Sequence, residues 1–280
     1  MTGWIIYSAE DVEKNKNYIQ MYMDQFKVYG VKIELIIVEN VKNLAKKIEE
    51  CKPVFAINRS RNAEPAKEME RLGIRVFNSS VVTEIANNKG RTYEVLKGVV
   101  PFLPVKYGNR TIISEIKGND FKYPYVIKSC SGHGGSQVFM AENQQEEKNI
   151  IEKLDQDEYI VQQCCSDLGK DVRVYIIGNK IVAAVLRTSK NSFKSNYSLG
   201  GNVKAYQLNG EEKNMVNAII QKVPLDYGGI DFTFHEGRAV FNEIEDAVGA
   251  RMLYQVSQTD IVQLFVEYMI KEIQAAARYR

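Results

Sequence analysis

Three carboxylates are crowded into the segment "FNEIEDAVGARM", in which Glu243, Glu245 and Asp246 occupy three of four consecutive positions behind the apolar run "AVF". The end of a buried strand is an unfavourable place for them, because like charges repel and lose hydration in a low-dielectric environment. The pattern therefore predicts that a positive partner lies among these side chains.

The preceding segment, "YGGIDFTFHEGRAV", places Asp231 within reach of this cluster. Two apolar strands flank "HEGR", and an odd-length loop centred on Gly237 would put Asp231 opposite Glu243 in a hairpin. Glu245 would lie on the same face, whereas Asp246 has the opposite parity and is interpreted as a turn or cap residue. Three converging carboxylates suit one or two hard divalent cations. The alternative, a solvated acidic edge strand, is disfavoured by the interleaved Phe, Ile and Val residues.

A lysine and a glycine-rich loop form a second candidate site in "YPYVIKSCSGHGGSQVFMAE". Lys128 ends an apolar strand, and the eight small residues that follow include Gly132, which lets backbone N–H groups approach an anion. An ordinary flexible turn would look the same. The two histidines, His133 and His235, both fall in loops, so histidine-centred metal or triad chemistry is not expected.

Bulk properties restrict the class of protein. The 280 residues are 45% apolar and 26% charged, as in ordinary soluble globular proteins. A net charge of +2 gives no reason to expect a nucleic-acid or membrane partner. No apolar run approaches the roughly 18 residues of a bilayer span, and the N-terminus lacks signal-peptide features. The four cysteines have no CxxC spacing and are interpreted as reduced thiols of a cytoplasmic protein.

The chain changes character near residue 100. Before it, strands and helices alternate, which predicts a parallel sheet covered on both faces. A Rossmann dinucleotide site is not expected there, because "YSAEDVEKN" after the first strand has no glycine. After Pro101 and Pro104 strands dominate, with helices at about 144–154, 211–222 and 259–277, which predicts an antiparallel-rich α+β half.

The order of these motifs resembles the ATP-grasp superfamily. A strand lysine before a glycine-rich hairpin is followed by "DVRVY", "LRTSKNSFKSNYSLGGNV", "GIDF" and "NEIE". The likeness is greatest to RimK-type glutamate ligases, then to D-alanine–D-alanine ligase and synapsin, and covers about residues 75–280. It implies an N-terminal parallel α/β pre-ATP-grasp domain (1–88) and two α+β subdomains (89–165 and 166–280), with ATP between the subdomains.

The resemblance also implies nucleotide contacts. Lys89, in "NNKGRTYEVLK", matches the first nucleotide lysine and Lys128 the second, and the loop residues Ser131 and Gly132 would face the phosphates. Asp171 resembles an acid on the ribose side.

The segment "IVQQCC" matches the connection between the subdomains that usually binds adenine. Here Gln163 and Cys164 replace the Glu–Tyr pair of the RimK type, a change that leaves a backbone contact to adenine possible.

The remaining implied roles concern phosphoryl transfer and the metal. Arg187 and Lys194 match residues near the transferred phosphoryl group, and Lys194 and Asn196 match positions beside the phosphates or metal.

Asp231 and Glu243 match two magnesium ligands. The third ligand is normally Asn, whereas this chain has Glu245, whose extra charge would bind metal more tightly or favour manganese. Arg251 replaces part of the RimK "SPG" pattern and is expected to meet a substrate carboxylate.

The function implied is an ADP-forming carboxylate–amine ligase for amino acids, short peptides or related metabolites, using ATP and Mg²⁺ or Mn²⁺, with two ions expected. Two alternatives remain: a regulatory ATP-binding protein of the synapsin type, and a small-molecule kinase. A homodimer or homotetramer is possible by the same resemblance.

Overall fold

A computed structural model describes residues 1–115, 121–133, 137–155, 158–189 and 201–278. The chain begins with a four-stranded parallel sheet in the order β2-β1-β3-β4, which confirms the predicted strand–helix alternation. Its elements are β1 (Thr2–Tyr7), α1 (Ala9–Val28), β2 (Lys32–Ile37), a 3-10 turn (Val38–Asn40), α2 (Leu44–Cys51), β3 (Phe55–Asn58), α3 (Glu64–Arg71) and β4 (Arg75–Phe77).

The first helix shows how local sequence sets these elements. Ile19, Tyr22 and Phe26 recur at three- and four-residue spacing and are all buried, so they form the apolar face of α1. The helix is followed by Gly30 at φ +68°, a left-handed conformation that glycine adopts without a Cβ clash. The spacing of these apolar residues and the glycine after them therefore account for the buried face and the end of this helix.

Two short helices, α4 (Ser80–Ala86) and α5 (Lys89–Leu96), lead to a four-stranded antiparallel sheet in the order β5-β8-β6-β7. Its elements are β5 (Val105–Asn109), α6 (Arg110–Glu115), β6 (Tyr125–Ser129), β7 (Val138–Ala141), α7 (Gln144–Lys153) and β8 (Glu158–Gln163). The sequence predicted β6, β7, β8 and α7. The strand β5 and helices α4, α5 and α6 were not predicted.

The third sheet has five antiparallel strands in the order β11-β10-β9-β12-β13. Its strands and helices are β9 (Lys170–Ile177), β10 (Lys180–Thr188), β11 (Asn202–Ala205), α8 (Gly210–Lys222), β12 (Tyr227–His235), β13 (Arg238–Glu245), α9 (Arg251–Val256) and α10 (Ile261–Arg278). The antiparallel, strand-rich second half therefore agrees with the sequence prediction.

Two of the hydrophobic cores contain residues from more than one sheet. Helices α1 and α10 pack together in a core that also takes Tyr175 and Val185 from the five-stranded sheet, which joins this sheet to the N-terminal one. The opposite face of the five-stranded sheet packs against α5 and α8. The predicted boundaries at 88/89 and 165/166 lie between the sheets, although α4 and α5 pack in the core of the third sheet.

All four cysteines are free thiols. Within the described residues, no helix combines the length and apolar character needed to cross a membrane.

Candidate active site

The β12–β13 hairpin brings the predicted carboxylates together. Asp231 pairs with Glu243, and Glu245 pairs with Gly229 on the same face. Oxygens of Asp231, Glu243 and Glu245 lie within 4.8 Å of one another. The sequence therefore identified the correct cross-strand partners.

The predicted odd-length loop is wrong. The turn has two residues, Glu236 at φ +51° and Gly237 at φ +76°, and His235 pairs with Arg238. Two positive φ angles are those of a tight hairpin turn whose twist suits the flanking strands. A β-bulge that inserts Asn242 shifts the pairing by one residue and so restores Asp231 opposite Glu243.

Two arginines provide the positive partners that the carboxylate cluster requires. Asp231 is fully buried and accepts two hydrogen bonds from Arg173, at 2.8 and 2.6 Å, and one from Arg187 at 2.6 Å. Burial alone would raise the pKa of Asp231, but the two guanidinium groups outweigh it and lower this pKa to about 2. The Asp231 carboxylate is therefore charged across the physiological pH range.

The same arginines bind the neighbouring acids. Arg173 forms an ion pair with Glu245 at 2.8 Å, and Arg187 holds both oxygens of Asp171 at 2.5 and 2.7 Å. Arg173, on strand β9, therefore forms structural ion pairs with both Asp231 and Glu245. Enclosure in the cleft raises the pKa of Glu245, against the lowering effect of Arg173. The ribose contact predicted for Asp171 would have to share oxygens that Arg187 already binds.

These carboxylates fit a divalent cation. They are hard oxygen ligands from two adjacent strands, and one oxygen of each lies within 4.8 Å of the others. Mg–O distances of about 2.0–2.1 Å require ligand oxygens no more than about 4.2 Å apart, so the side chains would move slightly closer around a bound ion. Glu243 is the least tightly paired of the three, because its ion pair with the Nζ of Lys89 is 3.6 Å long, against 2.8 Å for that of Glu245 with Arg173. Glu243 and Glu245 are therefore the residues best placed to hold an ion, whereas an ion at Asp231 would have to share the oxygens that Arg173 and Arg187 already bind.

Lys128 is held by neutral oxygens. Its ammonium donates to Gln162 Oε1 at 2.8 Å and to Asn242 Oδ1 at 2.9 Å. Gln162 donates in turn to the Tyr93 hydroxyl, and Tyr93 donates to the carbonyl of Asn242, which closes a ring of hydrogen bonds. Burial, supplemented by Lys89, lowers the pKa of Lys128 to about 8, although Glu243 acts in the opposite direction.

Lys89 and the glycine-rich loop lie beside this ring. The Lys89 ammonium donates to the carbonyl of Gly132 at 2.5 Å, and its backbone N–H donates to Cys130. A Cβ at Gly132 would lie 2.9 Å from the Oε1 of Gln137 and 3.1 Å from the Cβ of Ser129, so a larger residue would displace the Gln137 side chain and crowd Ser129.

The segment predicted to bind adenine uses its side chains for other contacts. Gln163 accepts from the N–H of Lys122 and donates to the carbonyls of Lys122 and Pro124, so its amide is already bound to backbone. Cys164 is buried, and burial raises the pKa of its thiol to about 11. A side-chain contact of Gln163 with adenine would therefore have to replace its hydrogen bonds to Lys122 and Pro124.

One cavity of about 530 Å³ collects most of the predicted residues. Those lining it are Lys89, Lys128, Ser131, Gly132, Gln163, Cys164, Asp171, Arg187, Glu243, Glu245 and Arg251. Arg251 is exposed and is the first residue of α9. Lys194 and Asn196 lie outside the described residues, so their predicted roles stay predictions.

Sequence reasoning missed several residues of the site. Gln162, Tyr93 and Asn242 complete the ring around Lys128, and Asn242 directly precedes the predicted metal ligand Glu243. Asp246 lies in a turn, as predicted, but it is also buried and accepts from Asn87, which anchors the end of the hairpin. The sequence does not signal the β-bulge at Asn242, so it did not predict the contact between Asn242 and Lys128.

Comparisons with known proteins agree with this geometry. The family model of the RimK-like ATP-grasp domain matches residues 104–269. The "uncharacterized protein MG011" of Mycoplasma genitalium is 30% identical over 274 residues, which cover 96% of this chain and 92% of the relative. A "probable alpha-L-glutamate ligase" of Haemophilus ducreyi is 24% identical over 200 residues, 70% of this chain and 66% of the relative.

Solved structures show the same fold. The ATP-grasp ligase PsnB, solved with a phosphomimetic variant of its minimal precursor, Mg and ADP, superposes with a TM-score of 0.71 at 15% identity, covering 97% of this chain and 98% of PsnB. The chain therefore has the ATP-grasp fold and belongs to the RimK-like ATP-grasp family.

Proposed function

We propose that this protein is an ATP-dependent ligase that joins a carboxylate to an amine and releases ADP and phosphate. The observation that carries the proposal is that Lys89 and Lys128 line the same cavity as Glu243 and Glu245, whose oxygens lie within 4.8 Å of those of the buried Asp231. Such a site is suited to positioning and neutralising a polyphosphate rather than to nucleophilic catalysis by the protein.

The charge balance of the site supports a nucleotide bound with metal. Four cations, Lys89, Lys128, Arg173 and Arg187, face four acids, Asp171, Asp231, Glu243 and Glu245. The cavity lining as a whole carries eight lysines and arginines against five acids, so it is positively charged before any ligand binds. The negative charges of ATP then need further positive charge, which one or two divalent cations would supply.

In the proposed reaction, a substrate carboxylate oxygen attacks the γ-phosphorus of ATP, and the bond to the β-phosphate oxygen breaks to release ADP. The amine then attacks the acyl carbon of the acyl phosphate, and phosphate leaves as the amide forms. Lys128 and Lys89 would hold the phosphates, and Arg187, at the end of β10, would stabilise charge on the transferred group.

Asp231, Glu243 and Glu245 would hold Mg²⁺ or Mn²⁺. The bound ion would neutralise charge on the phosphate oxygens during transfer. The fixed pairs between Arg173, Arg187 and Asp231 keep these carboxylates in place before the ion arrives.

The test is an ADP-release screen over pairs of amino acids and short peptides, with Glu243→Ala as the blank. Glutamate is the first compound to include, since one relative is named a glutamate ligase. We expect ADP release that requires an added substrate pair and falls about 10²-fold or more in the variant. Equal rates in the two proteins would contradict the metal assignment.

Measuring phosphate as well as ADP separates the alternatives. A ligase releases both, a kinase releases ADP without free phosphate, and a regulatory protein binds ATP without substrate-dependent release of either. Light scattering during the same preparation tests the proposed homodimer or homotetramer.

A further inference from the structure

Arg59, which follows strand β3 of the N-terminal sheet, is a buried cation outside the site described so far. Its side chain is 3% exposed, and no carboxylate lies within ion-pair distance of it among the described residues. A buried guanidinium is costly unless its donors are bound. The contacts that hold it therefore show what this charge does in the fold.

Those contacts cross from one domain to the other. The Nε of Arg59 donates to the Tyr7 hydroxyl at 2.8 Å, inside the N-terminal domain. Its Nη2 donates to the carbonyls of Ala247 at 3.1 Å and Val248 at 2.8 Å, in the segment directly after the metal hairpin. The planar fork of arginine binds these separate acceptors at once, which the single ammonium of lysine does less well.

Three tyrosine rings surround the guanidinium. Its carbon lies 5.9 Å from the ring of Tyr7, 5.1 Å from Tyr18 and 5.7 Å from Tyr227, all within the range of cation–π attraction. The hydroxyls of Tyr18 and Tyr227 are hydrogen-bonded to each other at 2.8 Å, which fixes two of these rings. The guanidinium is thus enclosed by two tyrosines of the N-terminal domain and by Tyr227 of the five-stranded sheet.

The segment that Arg59 holds forms part of the cavity wall. Ala247, Gly249 and Arg251 all line the cavity that contains the metal ligands. The Tyr175 hydroxyl donates to the carbonyl of Gly249 at 3.1 Å, so three successive carbonyls of this segment are bound by Arg59 and Tyr175. Its backbone conformation is therefore set by these two side chains.

We infer that Arg59 is a positioning residue for the substrate side of the site. It fixes the backbone at Ala247 and Val248 and thereby places Arg251 at the cavity wall, while Lys89 and Lys128 hold the nucleotide elsewhere. This inference rests on the proposed ligase function. It assigns the N-terminal domain a direct part in the geometry of substrate binding.

Steady-state kinetics with Arg59→Lys and Arg59→Ala test this role. We expect the KM for the amino-acid or peptide substrates to rise about tenfold or more, because small displacements in a site are costly, while the KM for ATP stays within about twofold. Added guanidinium chloride, at concentrations that leave the native protein folded, should partly restore the Arg59→Ala variant. Equal increases in both KM values, unchanged kinetics or no rescue would overturn the inference.

Arg75→Gln is the matched control. Arg75 also links the N-terminal sheet to the second half of the chain, through a 2.6 Å ion pair with Asp226 directly before β12, but among the described residues it forms no hydrogen bond or ion pair with residues 247–251. We expect this variant to lose thermal stability with little change in either KM. A substrate KM that rises as much as in Arg59→Lys would mean that any weakening of the interface is sufficient, and would overturn the specific role.

Hydrogen exchange separates a failure of this inference from a failure of the ligase proposal. Peptides covering residues 247–253 should exchange faster in Arg59→Lys and Arg59→Ala than in the unmodified protein or Arg75→Gln. If no substrate pair gives ADP release in the unmodified protein, the ligase proposal fails and the exchange result alone decides whether Arg59 sets this segment. Unchanged exchange in both Arg59 variants would overturn the inference.

Discussion

The cations on the two sides of the cavity are held in different ways. On the five-stranded sheet, Arg173 and Arg187 bind carboxylates at 2.5–2.8 Å, so their charges are neutralised within the protein. On the four-stranded sheet, the partners of Lys128 within the described residues are two side-chain amide oxygens, at 2.8 and 2.9 Å. Arg173 and Arg187 are thus paired with acids of the protein, whereas the charge of Lys128 remains available to an anionic ligand.

The pKa values follow from this difference. The two guanidinium groups lower the pKa of Asp231 to about 2 in spite of its burial. Burial without a carboxylate at hydrogen-bond distance lowers the pKa of Lys128 to about 8. The ion pairs of Arg173 and Arg187 hold Asp231 and Glu245 in place without a ligand. Lys128, which binds amide oxygens, would gain an anionic partner when phosphate binds. Substituting one residue beside the arginines and one beside Lys128 tests this difference.

The largest effect should come from Asp231→Asn. The change leaves two buried arginines without their shared carboxylate and removes a metal ligand. We expect turnover to fall about 10²-fold or more. The free energy of unfolding should fall by about 3–5 kcal/mol, as for other broken buried ion pairs. ADP release and urea denaturation measure the two losses.

Asp24→Asn serves as the control for Asp231→Asn. Asp24 lies on the exposed face of α1, where it accepts a hydrogen bond from Gln20. The substitution there should change the free energy of unfolding by no more than about 0.5 kcal/mol. If the Asp231 variant were as stable as this control, the buried arginines would not depend on their shared carboxylate.

On the lysine side, Asn242→Ala should weaken nucleotide binding. Lys128 would keep Gln162 and lose one of two oriented acceptors, so its ammonium would be less well placed. A hydrogen bond to a charged group contributes about 1.5–3 kcal/mol. We therefore expect the KM for ATP to rise about tenfold, with Asn217→Ala on the exposed face of α8 as control. A lower kcat with unchanged KM for ATP would contradict this role.

A pH profile tests whether the charge of Lys128 is used. Phosphate binding favours the protonated lysine, which predominates below its pKa of about 8. The affinity for ATP should therefore fall as the pH rises from about 7 to about 9. Asn242→Asp would place a carboxylate beside the ammonium, raise the pKa of Lys128 and move this decline to higher pH. Identical profiles for the two proteins would show that another group titrates.

The β12–β13 hairpin shows how much of the candidate site could be predicted from the sequence. Strand parity predicted that Asp231, Glu243 and Glu245 share one face, because side chains alternate strictly along a strand. The loop prediction was wrong by one residue, and the bulge at Asn242 corrects the register. Bulges depend on tertiary pairing rather than on a local signal, so the contact between Asn242 and Lys128 was not predictable from spacing alone.

The adenine segment shows a different limit. Resemblance directed attention to Gln163 and Cys164, whereas the buried neighbour Gln162 contacts the nucleotide lysine. Two adjacent glutamines on a strand point to opposite faces, and the sequence does not show which face meets Lys128. The motif residues could each be identified from the sequence. The neutral side chains that hydrogen-bond to them could not, because their contacts depend on how the three sheets pack together.

The smallest effect should come from Glu245→Asn, which restores the residue expected from the family resemblance. Arg173 keeps its two hydrogen bonds to Asp231, so the network remains largely intact. The site loses one negative charge, and metal affinity depends on ligand charge. We expect the half-saturating Mg²⁺ and Mn²⁺ concentrations in ADP release to rise a few-fold, with the larger rise for Mn²⁺. Glu236→Asn, at the turn of the same hairpin, is the matched control. Equal metal dependence in the two variants would mean that Glu245 serves Arg173 rather than the ion.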